Sequence, residues 1–267
     1  MKLKMIVPPW LVVLIALLTP NLFAQSLAPS LPATEYIRAN GRVLVTLKNS
    51  ERVFTDIALT DSFYGPAHLM LDRGITTGCT GTSFCPNDPV NRGTTAVFII
   101  RTLYTSLGGN GYPYHATTNP TGFTYPATPY FTDVPASHPF FPYIQKIREL
   151  GITGGCTPAT SYCPDESITN GQIAVFTIRA WELRTTSTTA GQPGPYPPPG
   201  NFTYPTTACF PNDMPSGHPW FPFVQKACEL KVVTTGCGGG YFCPSTPILR
   251  GAASFYYVRG ILGDFMF

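Results

Sequence analysis

Residues 151–171 read GITGGCTPATSYCPDESITNG, and related stretches occur three times along the chain. Each copy has two cysteines that bracket a short loop, with one aromatic residue directly before the second cysteine. The bracketing cysteines are Cys79 with Cys85, Cys156 with Cys163, and Cys237 with Cys243. An aspartate precedes each loop, and the three aspartates, Asp56, Asp133 and Asp213, lie 77 and 80 residues apart. Because order and spacing both match, the sequence indicates an internal repeat.

Each copy predicts a helix, a cysteine loop and a second helix. In the second copy the first helix is predicted to start near Ser137 and to stop at Gly151. The second helix is predicted to open at Asn91 in the first copy and at Thr169 in the second, because both are good N-caps. Leu249 holds that position in the third copy and is a poor cap, so this helix is expected to fray first. Helical pairs this small cannot bury a core alone, so we expect the copies to pack on one another.

The copies divide the chain into segments. Both connecting segments contain Phe-Thr-Tyr-Pro and are rich in proline and glycine. They are either extended spacers or segments whose aromatics dock onto the helices or line a ligand groove. Upstream, residues 35–47 alternate around Asn40-Gly41 and predict a short β-hairpin. The predicted segments are 1–24 signal peptide, 25–53 N-terminal segment with the hairpin, 54–104 first repeat, 105–130 linker, 131–183 second repeat, 184–208 proline-rich linker, and 209–262 third repeat.

The N-terminal residues have the features of a signal peptide. Lys2 and Lys4 precede the apolar run Trp10–Leu18, and the polar Gln25 follows Ala24. The run is shorter than the roughly 20 residues that a membrane span needs, so cleavage after Ala24 is favoured over a retained anchor. We therefore expect an extracytoplasmic protein, at the cell surface or associated with the envelope, with no transmembrane span after cleavage.

Composition argues against several classes of function. Only 12% of the residues are charged, and the formal net charge is +3. Lys2 and Lys4 supply two of those positive charges, so the rest of the chain has no basic face for nucleic acid. The sequence has no nucleophile elbow, zinc-protease motif or phosphate-binding loop, so we expect neither an enzyme nor a cofactor.

Export changes the interpretation of the eight cysteines. In an oxidising compartment an even number of cysteines indicates disulfides. Zinc would require C-x-x-C spacing or neighbouring histidines, and the cysteine loops have neither. We therefore predict one disulfide within each loop. The remaining two cysteines, Cys209 and Cys228, would tie the lead-in of the third copy to its first helix.

Several motifs lie in a fixed order within the copies, namely Phe131-Thr-Asp-Val-Pro135, His138, Gly151-Ile152, Phe84-Cys-Pro-Asn-Asp-Pro89 and Asn91-Arg-Gly-Thr94. In this order and spacing the chain resembles the S-layer homology domain, a cell-surface module usually found as three tandem repeats. The resemblance implies a mainly α fold of three helix-loop-helix repeats, packed as a pseudo-threefold trimer within a monomer. It also implies a non-catalytic protein that anchors to the cell envelope by binding cell-wall polysaccharide or a peptidoglycan-associated glycan.

The resemblance further implies which residues bind the ligand. The second helix of the family opens with Thr-Arg-Ala-Glu, and its arginine contacts acidic polysaccharide in the grooves between repeats. The second copy has Asn170 at this position, so one groove should bind an anionic sugar less well. This erosion leaves an alternative, a structural or protein-interaction module that has lost glycan binding. The predicted ligand-binding residues are Arg92, Arg250, Asp56, Asp133, Asp213 and Trp220.

These residues also have structural interpretations. Arg92 and Arg250 would instead pair with Asp56 or Asp213, because a cation in the first turn of a helix opposes the helix dipole. Trp220 would instead be buried in the core. Two histidines are expected to cap or pack at the start of the first helices, namely His138 and His218. The arginines within the second helices are expected to be structural, namely Arg101, Arg179 and Arg259.

Overall fold

The computed structural model describes residues 34–39, 42–48, 54–106, 124–187 and 202–263. Helices make up most of the regular secondary structure, with little strand, which confirms the mainly α class. The predicted signal peptide and the Asn40-Gly41 turn lie outside the described residues. The helices are α1 Tyr64–Asp72, α2 Arg92–Ser106, α3 Phe141–Glu149, α4 Asn170–Thr185, α5 Phe221–Glu229 and α6 Arg250–Phe255, which continues as a π-helical segment, Tyr256–Leu262. Two antiparallel strands precede them, β1 Thr34–Ala39 and β2 Arg42–Lys48.

The first helix of the second repeat begins later than the sequence predicts. Helix α3 starts at Phe141 instead of near Ser137. The preceding residues form turns, in which the His138 amide donates to the Pro135 carbonyl (2.8 Å) and the Phe141 amide donates to the His138 carbonyl (2.9 Å). The reason is Pro139, whose ring disfavours helical backbone angles in the residue before it. The helix therefore starts only after this proline.

The predicted caps of the second helices are present. The Thr169 hydroxyl accepts from the Gln172 amide (3.3 Å), and the Gln172 side chain accepts from the Thr169 amide (3.2 Å), which forms a capping box. In the first repeat, Asn91 Oδ1 accepts from the Thr94 amide (2.7 Å). Leu249 makes no side-chain cap, and α6 has only six α-helical residues before the π-helical segment.

A closed ring of backbone hydrogen bonds joins the three repeats. The Val90 amide donates to the Ile248 carbonyl (3.1 Å), the Ile248 amide to the Ile168 carbonyl (3.0 Å), and the Ile168 amide to the Val90 carbonyl (2.8 Å). Each residue lies two positions before the second helix of its repeat, and all three are buried. Beyond the ring, α2, α4 and the π-helical segment contact one another. The second helices therefore pack on one another, and each first helix packs on the second helix of another repeat, α3 on α2, α5 on α4 and α1 on α6.

The described ends of the connecting segments dock onto the first helices. Gln145 on α3 is fully buried, and its Nε2 donates to the carbonyls of Pro126 (3.0 Å) and Thr128 (2.7 Å). Gln225 makes the same pair of bonds in the third repeat. The Tyr125 ring packs edge-on against the first residue of α3. Of the two interpretations of these segments, docking is therefore the correct one where the structure describes them.

All eight cysteines form disulfides in the predicted pairs, namely Cys79–Cys85, Cys156–Cys163, Cys237–Cys243 and Cys209–Cys228. The fourth bond has a counterpart in the second repeat, where Arg148 lies over the ring of Tyr130, 5.8 Å from its centroid. Cys209 and Cys228 hold the positions of Tyr130 and Arg148, so the third repeat joins them by a covalent bond. Within the described residues, no helix has the length and apolar character required to cross a membrane.

Candidate functional site

The three aspartates hold the cysteine loops, defined as residues 79–85, 156–163 and 237–243. Asp133 accepts from the amides of Tyr162 (2.8 Å) and Cys163 (2.7 Å). Asp56 and Asp213 make the same two bonds in their own repeats. The second cysteine of each loop has a positive φ, between 55° and 59°, which is uncommon for a residue with a side chain. Each carboxylate therefore accepts from two consecutive backbone amides, and the second amide belongs to a cysteine with left-handed backbone angles.

Arg92 reaches from the first repeat into the cysteine loop of the second. Its side chain is buried, with 2% of the residue exposed. Nε donates to the Tyr162 carbonyl (2.8 Å) and Nη2 to the Gly155 carbonyl (3.2 Å). The guanidinium carbon lies 4.9 Å from the centroid of the Tyr162 ring and 5.6 Å from that of Phe176. The Tyr162 hydroxyl donates back to the Arg92 carbonyl (2.8 Å), so the two residues are bonded in both directions.

Arg250 makes the equivalent contact from the third repeat to the first. Its Nη2 donates to Thr76 Oγ1 (3.0 Å), and its guanidinium carbon lies 5.2 Å from the Phe84 centroid and 5.0 Å from the Phe98 centroid. The side chain is half-buried, and burial lowers the pKa of the Arg250 guanidinium. Its Nε has no hydrogen-bond partner among the described residues.

Asn170 holds the equivalent position between the second and third repeats. Its Nδ2 donates to the Cys243 carbonyl (3.1 Å) and, at 3.5 Å, to the Phe242 carbonyl. The contacts are therefore cyclic, because the first residue of each second helix, an arginine or an asparagine, lies against the cysteine loop of the next repeat. Neither Arg92 nor Arg250 forms an ion pair with an aspartate in the described part of the chain. The alternative in which these arginines form ion pairs with Asp56 or Asp213 is therefore wrong, since the arginines bond across repeats and the aspartates bond loop amides.

Trp220 lies at the interface between the second and third repeats. Its indole packs on Gly171, so closely that a Cβ at Gly171 would overlap the ring. Phe140 packs on Gly93 in the same way, which explains the glycine that follows Arg92 and Asn170. Trp220 is half-buried and not part of the deep core. Its backbone amide donates to the His218 ring (3.1 Å), in agreement with a local packing role for that histidine.

The arginines within the second helices bond backbone carbonyls in their own repeats. Each Nη1 donates to a carbonyl near the end of the first helix, and the bonds are Arg101 to Ile75 (3.2 Å), Arg179 to Ile152 (2.9 Å) and Arg259 to Lys231 (3.1 Å). These contacts agree with the structural role expected from the sequence. They join the two helices of a repeat.

A cavity of about 480 Å³ opens where the third repeat meets the other two. Its walls include Asn170 from the second repeat, Phe63 from the first, and Gly236, Phe242 and Tyr256 from the third. Sequence reasoning did not identify this cavity. The signal that could have located it was Asn170, which is much shorter than the arginine at the two equivalent positions.

These contacts define a class of protein, a helical repeat protein whose repeats interlock through disulfide-closed loops. The model of one family, the S-layer homology domain, matches residues 53–96 and 130–174. The matched regions contain the first helices and cysteine loops of the first two repeats and the first turn of α2 and α4. They support the S-layer homology family for this chain. A search of curated proteins found no match.

The predicted ligand-binding residues do not form one cluster. Arg92, Arg250 and Trp220 lie at three different interfaces between repeats, and each aspartate lies within its own repeat. A ligand that used all six residues would have to occupy several grooves. Their role in ligand binding stays a prediction.

Proposed function

We propose that this protein is exported and anchors to the cell envelope, without catalysis, by binding cell-wall polysaccharide through three repeats that form a pseudo-threefold trimer. The observation that carries the proposal is the family match over two regions, because S-layer homology domains generally mediate the anchoring of surface proteins to the cell wall. Four disulfides support an extracytoplasmic location, since such bonds persist in oxidising compartments.

The two arginines differ in their suitability for an anionic sugar. The guanidinium of Arg92 is buried and bonded to two carbonyls, so reaching a ligand would require these bonds to break. Arg250 is half-buried and makes one hydrogen bond to a side chain. We therefore expect Arg250 to contribute more than Arg92 to recognition of an acidic glycan. Trp220, also half-buried, would contribute by stacking on a sugar ring.

Co-sedimentation with cell-wall sacculi from the producing organism tests the proposal. The purified protein should pellet with sacculi at low salt. Arg250→Asn, which copies the residue at position 170, should lower the affinity by about tenfold, the effect of losing about 1.4 kcal/mol of binding free energy. Asn170→Ala is the matched control and should leave retention unchanged. Circular dichroism verifies that each variant is folded. Failure of the wild-type protein to pellet at low salt would overturn the proposal.

One observation favours a second candidate function. The burial of Arg92 inside the interface between the first two repeats supports a structural or protein-interaction module whose grooves have lost glycan binding. In that case folded Arg92→Asn and Arg250→Asn variants would be retained on sacculi as well as the wild-type protein. The same sedimentation assay therefore separates the two candidates.

A further inference from the structure

Two of the three interfaces between repeats hold an arginine guanidinium between two aromatic rings. At the first interface, Arg92 lies between the rings of Tyr162 and Phe176 and donates to the carbonyls of Tyr162 and Gly155. A guanidinium is planar and has several donors in a fixed arrangement, so it can stack on aromatic faces while it bonds carbonyl oxygens. At the interface between the third and the first repeat, Arg250 lies between two phenylalanine rings.

The interface between the second and third repeats has the same walls but a shorter side chain. Phe242 and Tyr256 stand at the positions of Tyr162 and Phe176, and Gly236 precedes its cysteine as Gly155 does. Asn170 ends at the carbonyls of Phe242 and Cys243. All four residues that correspond to Arg92 and its partners line the cavity of about 480 Å³, namely Asn170, Gly236, Phe242 and Tyr256.

We propose that this cavity binds the guanidinium group of a ligand, either an arginine side chain of a partner polypeptide or a small alkylguanidinium. The group enters between the rings of Phe242 and Tyr256 and donates to the carbonyls of Gly236 and Phe242. Both rings line the cavity, and only 1% and 4% of these residues are exposed, so the guanidinium reaches them from the cavity and not from the protein surface. This proposal is independent of glycan binding.

A cationic side chain, Arg259, borders the cavity, and the second repeat has an equivalent arginine. Arg259 lines the cavity and bonds the Lys231 carbonyl. Its counterpart in the second repeat, Arg179, bonds the Ile152 carbonyl in the same manner. Arg92 is bound to the cysteine loop of that repeat all the same. The second repeat therefore holds the guanidinium of Arg92 and its own helix arginine at the same time.

Calorimetry on the intact protein tests the proposal with N-acetyl-arginine methylamide as the probe. We expect one molecule to bind per chain, and the citrulline analogue, a neutral isostere, to bind at least about tenfold more weakly. A peptide with one arginine between glycines distinguishes the two sources. Tighter binding of the peptide points to a partner polypeptide, and equal binding points to a small guanidinium ligand.

Asn170→Arg is the matched variant, because it supplies the missing guanidinium from the chain itself. It should weaken binding of the probe by at least about tenfold while the protein keeps its melting temperature or gains stability. In the wild-type protein, magnetic resonance should detect contacts between the methylene protons of the probe and the rings of Phe242 and Tyr256, which keeps the test valid even if the variant does not fold. Absence of binding at about 10 mM probe, where a millimolar complex would be largely formed, would overturn the proposal, as would unchanged binding to a folded Asn170→Arg variant.

Discussion

Replacing Arg92 with asparagine should destabilise the protein substantially. The variant loses the bonds to the Tyr162 and Gly155 carbonyls and the stacking on two rings. Hydrogen bonds of a charged group contribute about 1.5–3 kcal/mol each, and a buried cation–π contact contributes up to about 2 kcal/mol. Two effects offset part of this loss. The variant no longer buries a charge, and its asparagine can bond the loop as Asn170 does. We expect a net loss of about 2–4 kcal/mol in the free energy of unfolding.

The three interfaces provide internal controls for this prediction. Arg250→Asn should cost about 1–2 kcal/mol, because Arg250 donates one hydrogen bond to a neutral hydroxyl and lies over two rings at a half-buried site. Asn170→Arg should leave stability unchanged or raise it. Urea denaturation followed by circular dichroism, with the disulfides kept oxidised, gives the three values. If Arg92→Asn proves no more destabilising than Arg250→Asn, the assignment of Arg92 as a buried link between repeats would be refuted.

Three further predictions concern titration, the loops and the interface. Burial raises the pKa of Tyr162, Tyr256 and Tyr257, so the folded state keeps these protons after the unfolded chain has released them. The stability that these tyrosines contribute should thus be constant below about pH 10 and be lost above it, by about 1.4 kcal/mol per pH unit for each tyrosine. Urea midpoints that stay level between pH 9 and pH 11 would contradict this. Asp133→Ala should lower the free energy of unfolding by about 2 kcal/mol, because it leaves two loop amides without an acceptor. Hydrogen exchange at those amides should accelerate. Asp165→Ala, at an exposed residue, is the control and should change neither quantity. Gly171→Ala should lower the melting temperature because its methyl group would overlap the neighbouring indole, whereas Gly154→Ala, in open space, should have little effect.

The features that sequence predicted correctly are those set by neighbouring residues. The capping box at Thr169 and the three loop disulfides each depend on residues fewer than ten positions apart. The predicted start of α3 near Ser137 was wrong because Pro139 disfavours helical backbone angles in the residue before it. The partners of Arg92 could not be derived, since the Tyr162 carbonyl lies 70 residues further along the chain. Nothing in a local pattern indicates that a second helix bonds the loop of the next repeat.

The repeats share backbone contacts but differ in the side chains that support them. The ring through Val90, Ile168 and Ile248 is the same at every interface, and so is the bond from each second helix to the next loop, as from the Gly171 amide to the Pro244 carbonyl. These bonds do not depend on side-chain identity, so they fix the arrangement while individual side chains change. One example is the buried position that Gln145 and Gln225 hold on the first helices. In the first repeat His68 holds this position, and its ring accepts from a backbone amide.

The third repeat combines two such changes, and the combination has an energetic consequence. Its loop lacks the arginine from the preceding repeat and borders a cavity of about 480 Å³, which removes packing and hydrogen bonds that the second repeat has. The same repeat carries the additional disulfide Cys209–Cys228, with a sequence separation of 19. Closing a loop of this size stabilises a chain by about 3 kcal/mol in the entropic description. That gain is similar to the loss expected when Arg92 becomes asparagine. The disulfide therefore offsets the cost of the open interface, and the third repeat can keep the cavity without losing its fold.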